Sequence, residues 1–492
     1  MTAASAAASL VLAACVTTPP ASPAATLAGA PVEVWLTTGD RTSLLARQTD
    51  VRFGAANAAA PVQSDADATI KVDTTASYQE MVGFGAAVTD AAAWLIQTRL
   101  TPSQRDSLMR DLFGRGNGIG LSFVRLTIGA SDFSLAHYSL ADPPADATEP
   151  SLEHFSIEPT RGTVLPTVRQ ALAINPRLRV MASPWSAPAW MKTSGSLIGG
   201  TLRDDSYDAF ADYLRRYIEA YAAEGVPIWA ITLQNEPHHV PDDYPGMRLD
   251  PAQRTRLIAR HVGPAFEQRG LRTLIFDWDH NWDEPESPLG VLADTAARRW
   301  VAGVAWHCYG GDVSAQSLVR ERHPDVDTYF TECSGGEWAP SFGDNLVWNL
   351  STLIIGATRH WARGVLLWNL ALDEAHGPHL GGCSDCRGVV TIDSRNGAVT
   401  RNEEYYALAH ASRFVLPGAR RIESTAGASG VESVAFRNPD DGSFVLIAVN
   451  TAAAPRRVSV RVGRAEFRYS IDARAAVTFR WHLMRASTPD AR

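Results

Sequence analysis

Between Met81 and Leu370 a short apolar run rich in branched side chains recurs eight times, and stretches of mixed polarity separate the runs. A run with no polar alternation reads as a strand buried on both faces of a parallel sheet, and parallel neighbours need long crossover connections. Strands are expected at Met81–Val88, Ser122–Ile128, Arg179–Trp185, Ile228–Gln234, Thr273–Trp278, Val304–Tyr309, Thr328–Cys333 and Gly364–Leu370. The connections carry helical periodicity. In one, Tyr207, Phe210, Leu214, Ile218 and Tyr221 recur at three- and four-residue spacing, while Arg215, Arg216 and Glu219 face elsewhere. Eight such units in roughly 330 residues fit an α/β fold of the (β/α)8 TIM-barrel type, which takes about 250 residues before loop insertions. A doubly wound open sheet is the alternative, but no Gly-rich phosphate loop follows the first strand.

The flanks read differently. Before the barrel, Val32–Thr37 and Ala68–Val72 are short strands outside any α/β unit. After about Ala411, Ser433–Phe436, Ser443–Val449, Arg456–Val462, Phe467–Ile471 and Ala476–Trp481 alternate or run β-branched, broken by the turn Asn438–Gly442. Neither flank alone makes a convincing sandwich. The expectation is a catalytic-type barrel over 81–410 and an attached all-β sandwich formed from both chain ends, 31–80 and 411–492.

Residues 1–30 read as a lipoprotein-type signal and tether. Small apolar residues lead to Leu12-Ala13-Ala14-Cys15, although no Lys or Arg precedes them, and a Pro-, Ala- and Thr-rich spacer follows. Cys15 is the expected lipidation site, so the chain is expected to be extracytoplasmic, secreted or lipid-anchored in the cell envelope, and to meet a membrane only through that anchor. In an exported protein the close pair Cys383 and Cys386 reads as a local disulfide, a lone C-x-x-C being weak support for zinc. Cys308 and Cys333 read as plain buried thiols. The net charge of -8, with no basic block interleaved with aromatics, argues against nucleic acid as a partner. A monomer is expected.

Polar and aromatic residues collect where the eight strands end. Trp229-Ala230-Ile231-Thr232-Leu233-Gln234 stops at Asn235, Glu236 and Pro237, and Thr328–Thr331 stops at Glu332. The other tips carry Thr89 and Asp90; Arg125 and Asp132; Trp185; Asp277 to His280; His307 and Tyr309; Trp368 and Asn369. Taken singly, each has a structural explanation: a carboxylate capping a strand, a core ion pair, a satisfied histidine. Together they occupy the face on which barrel enzymes build their sites. Two carboxyls there suit glycosidic-bond cleavage, one as proton donor and one as nucleophile.

The segments Gly83–Asp90, Arg125 through Phe133, Ala182–Pro188, Thr232–Pro237 and Trp368–Leu372 resemble glycoside hydrolase family 30, the glucosylceramidase-like group. The resemblance runs from about Val32 to Trp481. It implies retaining hydrolysis of β-glycosides, with Glu236 as acid/base and Glu332 as nucleophile, and it implies no cofactor. Asn235 would bond the sugar 2-hydroxyl; Asp132, Trp185 and Trp368 would hold the glucosyl unit; Arg125, His307 and Tyr309 would bond or orient the carboxylates. Where the animal glucosylceramidases have Trp between the His and Tyr of strand six, this chain has Cys308, and a C-x-x-C loop occupies 374–387. The leading expectation is therefore a β-glucosidase of glucosylceramidase type acting on a β-linked glucoside. The alternatives are an endo-β-1,6-glucanase, a β-xylosidase or β-fucosidase, and, outside enzymes, a surface carbohydrate-binding lipoprotein.

Overall fold

The computed structural model describes residues 27–55, 67–144 and 150–483; Cys15 and tether residues 16–26 lie outside the described residues. The eight expected strands are all present. They are β1 (Gly83–Ala87), β2 (Phe123–Ile128), β3 (Arg179–Pro184), β4 (Ala230–Thr232), β5 (Leu274–Asn281), β6 (Val301–His307), β7 (Asp327–Glu332) and β8 (Ala362–Asn369). Each pairs in parallel with its sequence neighbour, and β8 returns to β1 through Gly364↔Gly83 and Leu367↔Ala86, so the barrel closes without an edge. Gly85 is required for that closure: a Cβ there would fall 1.8 Å from the Phe123 carbonyl oxygen of β2.

The barrel interior is layered by the two-residue period of its strands. Phe123, Met181, Ala230, Phe276, Ala305, Tyr329 and Leu366 form an apolar plug, with the Phe276 and Tyr329 rings stacked at 4.2 Å. Two residues further along, the same strands present Arg125, Ser183, Thr232, His307, Thr331 and Trp368. The polar site therefore stands directly on the plug.

β5 breaks the period. Its register against β6 slips between Ala305↔Trp278 and Trp306↔His280, so Asp279 is an extra residue, and Trp278 and Asp279 both take positive φ (77° and 59°). Such a bulge re-aims side chains. It turns Asp279 into the barrel, where an unbroken strand would have put Trp278.

The flanking strands form one sheet. Its order runs Ala46–Arg52, Pro31–Thr37, Ala476–Trp481, Phe444–Asn450, Val431–Arg437, Arg420–Ser424, Ala68–Glu80, Arg456–Val462, Ala465–Ile471, Gly54–Ala55. Its two end strands are separated in sequence by Phe53 alone, so the sheet must curl until its ends meet. Inside lies a core that includes Val34, Ile70, Leu446, Val460 and Phe479. The sandwich thus draws on both chain ends: Val32↔Trp481 through Thr37↔Ala476 is a direct antiparallel ladder.

Barrel and sandwich meet at the helix Glu403–Ser412. The buried His410 ring bonds Thr478 Oγ1 through Nδ1 at 2.8 Å and Thr37 Oγ1 through Nε2 at 2.9 Å. The Thr478 hydroxyl donates to the His410 carbonyl, so it accepts from Nδ1–H, which leaves Nε2 as the acceptor. The ring is neutral by construction, and burial holds its pKa down at about 3.

The cysteines correct one expectation. Cys308 and Cys333 are joined in a disulfide, as are Cys383 and Cys386. The reason is register: His307 of β6 lies opposite Glu332 of β7, so the next residues on these adjacent parallel strands stand side by side, Cα to Cα 5.4 Å.

Candidate active site

The site is assembled around Arg125, whose side chain is fully buried on β2. One guanidinium nitrogen donates to Glu332 Oε2. The other donates to Asn235 Oδ1 (2.6 Å) and Asp279 Oδ2 (2.7 Å). Its flat face lies 4.8 Å from the Trp185 ring and 5.6 Å from Trp368. A buried arginine is tolerated only when its charge is met, and here two carboxylates meet it and the Asn235 amide oxygen takes a further N–H, while Nε alone of the three nitrogens has no protein partner.

Asp279 is the second hub. Five groups donate to its carboxylate: Arg125, Ser183 and Thr232 to Oδ2, and Thr331 and His307 Nε2 to Oδ1. Burial raises its pKa, but Arg125 and His307 prevail and hold it well below the usual carboxylate range. Its bond to Nε2 also fixes His307. The Nδ1 atom then faces Glu236 Oε1 at 3.0 Å and Glu332 Oε1 at 3.8 Å. Burial opposes a charged ring, yet Glu332, Asp279 and Glu236 together push His307 up to about 9.

Glu332 leaves the tip of β7 and Glu236 the loop just beyond β4, the latter in a left-handed conformation (φ 47°) fixed by its own N–H to the Asp279 carbonyl (3.0 Å). Tyr309 OH donates to Glu332 Oε1 at 3.0 Å. Burial lifts the Glu332 pKa most; His307 and Arg125 pull against it, Glu236 and Asp279 add to it, and the net direction is up. Glu236, opposed by burial, is held down by His280 and His307. The carboxyls and His307 form one coupled acid–base unit, in which a proton on His307 Nδ1 keeps Glu236 ionised.

Around these groups lies a cavity of 380 Å³. On one side Trp185 and Trp368 stack at 5.0 Å beside Asp132. Burial first, then the charge of Glu332, raises Asp132 to about 8, and its Oδ1 has no protein partner. The loop closed by Cys383–Cys386 backs this wall, with Gly382 against the Asp132 side chain. The other side carries His280, Tyr309, Ser334 and Trp338; His239 also lines the cavity, and Tyr244, bonded to His239, packs against the cluster of Trp185 and Trp368.

The structure thus brings every expected site residue of the strand ends into one place: Arg125, Asp132, Trp185, Asn235, Glu236, His307, Tyr309, Glu332 and Trp368. Asp279 and His280 were visible at a strand tip without a part in the site, and Trp338, Tyr244 and His239 carried no signal beyond lying in loops after strands. Glu236, His280 and His307 also bring one ligand-type atom each within 4.8 Å of one another, but the His307–Glu236 hydrogen bond already joins two of the three.

Residues 81–415 match the glycosyl hydrolase family 30 TIM-barrel domain, and residues 418–479 match the family 30 beta sandwich domain. Among curated proteins, the endo-1,6-beta-D-glucanase BGN16.3 of Trichoderma harzianum is 38% identical over 402 residues, covering 76% of this chain and 79% of the relative. The lysosomal acid glucosylceramidase of Mus musculus is 31% identical over 408 residues, covering 76% of each chain. The solved structure of the endo-beta1,6-glucanase BT3312 superposes with a TM-score of 0.84 at 30% identity, over 92% of this chain and 99% of that one.

Proposed function

Since the chain belongs to glycosyl hydrolase family 30, we propose that it is a retaining endo-β-1,6-glucanase, with Glu332 as nucleophile and Glu236 as acid/base. The β-1,6 specificity is supported by the likeness to glucanases in both sequence and structure. The glucosylceramide reading, first on sequence alone, rests on the lower-identity likeness and takes second place.

One observation carries the mechanism: both carboxyls reach the same ring nitrogen. With 3.0 and 3.8 Å to His307 Nδ1, the two Oε1 atoms lie no more than ~7 Å apart, a closeness that accommodates the ~5–5.5 Å carboxyl spacing of a retaining pair. Glu332, oriented by Arg125 and Tyr309, attacks the anomeric carbon while Glu236 protonates the departing oxygen. The proton comes along the His307–Glu236 bond. On His307 it leaves Glu236 ionised; moved to Oε1, it makes the acid, and as Glu332 loses its negative charge in the covalent intermediate, Glu236 returns as base toward water.

Recognition follows from valence. Because Asn235 Oδ1 is taken by Arg125, its amide N–H groups are left for the sugar, in place for the 2-hydroxyl. The unpartnered Asp132 Oδ1 beside the two tryptophans offers a bond to a ring hydroxyl, and the indoles supply apolar faces.

The test is a product time course on linear β-1,6-glucan, laminarin-type β-1,3-glucan and glucosylceramide, with the first-formed anomer read by proton NMR. Early fragments of several lengths from the β-1,6-glucan, released as the β-anomer, are expected. Cleavage of glucosylceramide alone would move the chain to the second reading, and α-anomer release would overturn retention.

A further inference from the structure

The cavity wall opposite Asp132, Trp185 and Trp368 continues into a second cavity that the chemistry above leaves unused. It measures 630 Å³ and shares Tyr309, Ser334 and Trp338 with the catalytic cavity. Three of its aromatic side chains face solvent: Trp338 is 56% exposed, Tyr309 47% and Trp348 43%. Large apolar side chains in that state, clustered beside an active site, mark a surface that something covers.

Trp338 is exposed but held. Its six-membered ring lies against Gly336, where a Cβ would come within 1.9 Å of Cζ3 and 2.3 Å of Cε3, so no other residue at 336 leaves the ring where it is. The segment beneath is pinned twice. Gly335 and Gly336 pair with Arg387 and Cys386 of the disulfide loop, and Glu337 N–H donates to the Asp385 carbonyl at 3.0 Å. Three residues before Gly336, Cys333 is tied to Cys308. An indole with one side seated on backbone and the rest in solvent is a preorganised stacking surface, whose immobilisation cost is met before a ligand arrives.

We propose that Trp338, with Tyr309 and Trp348, forms the leaving-group side of the substrate site, stacking at least one glucosyl unit beyond the cleaved bond. This rests on the glucan reading above. The direction follows from the barrel: the sugar to be cleaved is placed by residues at the ends of β2, β3 and β8, whereas Tyr309, Ser334 and Trp338 follow β6 and β7 on the other side of the two carboxyls. Carbohydrate suits the lining better than an acyl chain, because Ser334, Ser341 and Asp344 interleave with the rings, and an acyl chain would strip water from the exposed Asp344–Arg474 ion pair.

The experiment uses the full chain and its Trp338→Ala and Trp338→Phe variants. Each is given β-glucosyl fluoride, whose leaving group is too small to reach Trp338, and β-1,6-linked gluco-oligosaccharides of increasing length. Trp338→Ala should lose about tenfold more kcat/KM on the oligosaccharides than on the fluoride, and Trp338→Phe should recover most of it. Equal losses on both substrates, or none, would overturn the subsite, the first outcome assigning Trp338 to support of Glu332 instead. An alkyl β-glucoside series in which only the gain with chain length disappears would make the occupant an acyl tail and also overturn it. A parent protein that hydrolyses the fluoride but no β-1,6-linked oligosaccharide would refute the glucan reading itself, a pattern none of the variant outcomes produces.

Discussion

His410 makes the joint between barrel and sandwich sensitive to acid, and its contribution can be worked out. In the folded protein the ring is neutral, donating to Thr478 and accepting from Thr37, with its pKa at about 3. In the unfolded chain it titrates near ~6.5. Because the folded value is the lower one, the unfolded state takes up the proton first as pH falls, and stability present above the unfolded pKa is lost on the way down. Between pH 7 and pH 5 that loss amounts to about 2 kcal/mol, and by pH 4 to about 3 kcal/mol. His410→Gln keeps a donor and an acceptor but cannot titrate. Urea unfolding of parent and variant at pH 7, 6, 5 and 4 should therefore give curves that cross between about pH 6 and pH 5, the variant starting lower by roughly 1–2 kcal/mol from imperfect hydrogen bonds and ending as the more stable protein at pH 4. Other shifted groups, such as Asp132 at about 8 and Asp90 at about 6, are common to both proteins and cancel in the difference. Parallel stability curves over this range would refute the reasoning.

With an activated aryl glucoside, Glu236→Ala should still glycosylate Glu332 and azide should yield the β-glycosyl azide, whereas Glu332→Gly should yield the α-azide; the opposite products would exchange the two roles. Asp279→Asn removes one of the carboxylates that push His307 up to about 9, so the alkaline limb of the kcat/KM pH profile should move down by about one unit or more, and an unmoved limb would show that His307 does not govern it. The denatured, unreduced protein should show no free thiol among Cys308, Cys333, Cys383 and Cys386, and Cys308→Ser with Cys333→Ser, opening a closure of 25 residues, should cost about 3.5 kcal/mol in chemical unfolding. For the proposed anchor, Cys15→Ser should shift the protein from membrane to soluble fractions; unchanged fractionation would remove the anchor.

The barrel was legible because burial on both faces erases polar alternation, so each strand announced itself as a continuous apolar run ending in polar residues. Glu236 and Glu332 could be read for the same reason: they stop such runs. Asp279 could not. Its inward turn depends on a bulge with Trp278 and Asp279 at positive φ, and a bulge inverts the parity from which inward positions are counted. The Cys308–Cys333 bond depends on the β6–β7 register, which no local pattern encodes, although the pairing of His307 with Glu332 makes it immediate once known. Trp338 was hidden differently. Ser334-Gly335-Gly336 reads as a turn, and nothing in a turn says that its second glycine serves as a seat for the indole two residues on.

The ladder between Pro31–Thr37 and Ala476–Trp481 has a consequence for the order of events during synthesis. The first of these strands leaves the ribosome long before its partner exists, whereas each barrel strand meets its neighbour within the next unit of the chain. The barrel can therefore consolidate while the early strand waits with one edge unpaired, a state that invites strand exchange between nascent chains. The hairpin with Ala46–Arg52 covers the other edge at once, and that outer strand, with Arg47, Gln48, Asp50 and Arg52 along it, presents charge rather than a sticky flank to passing chains. Completion of the sandwich then reports that the last strand has arrived.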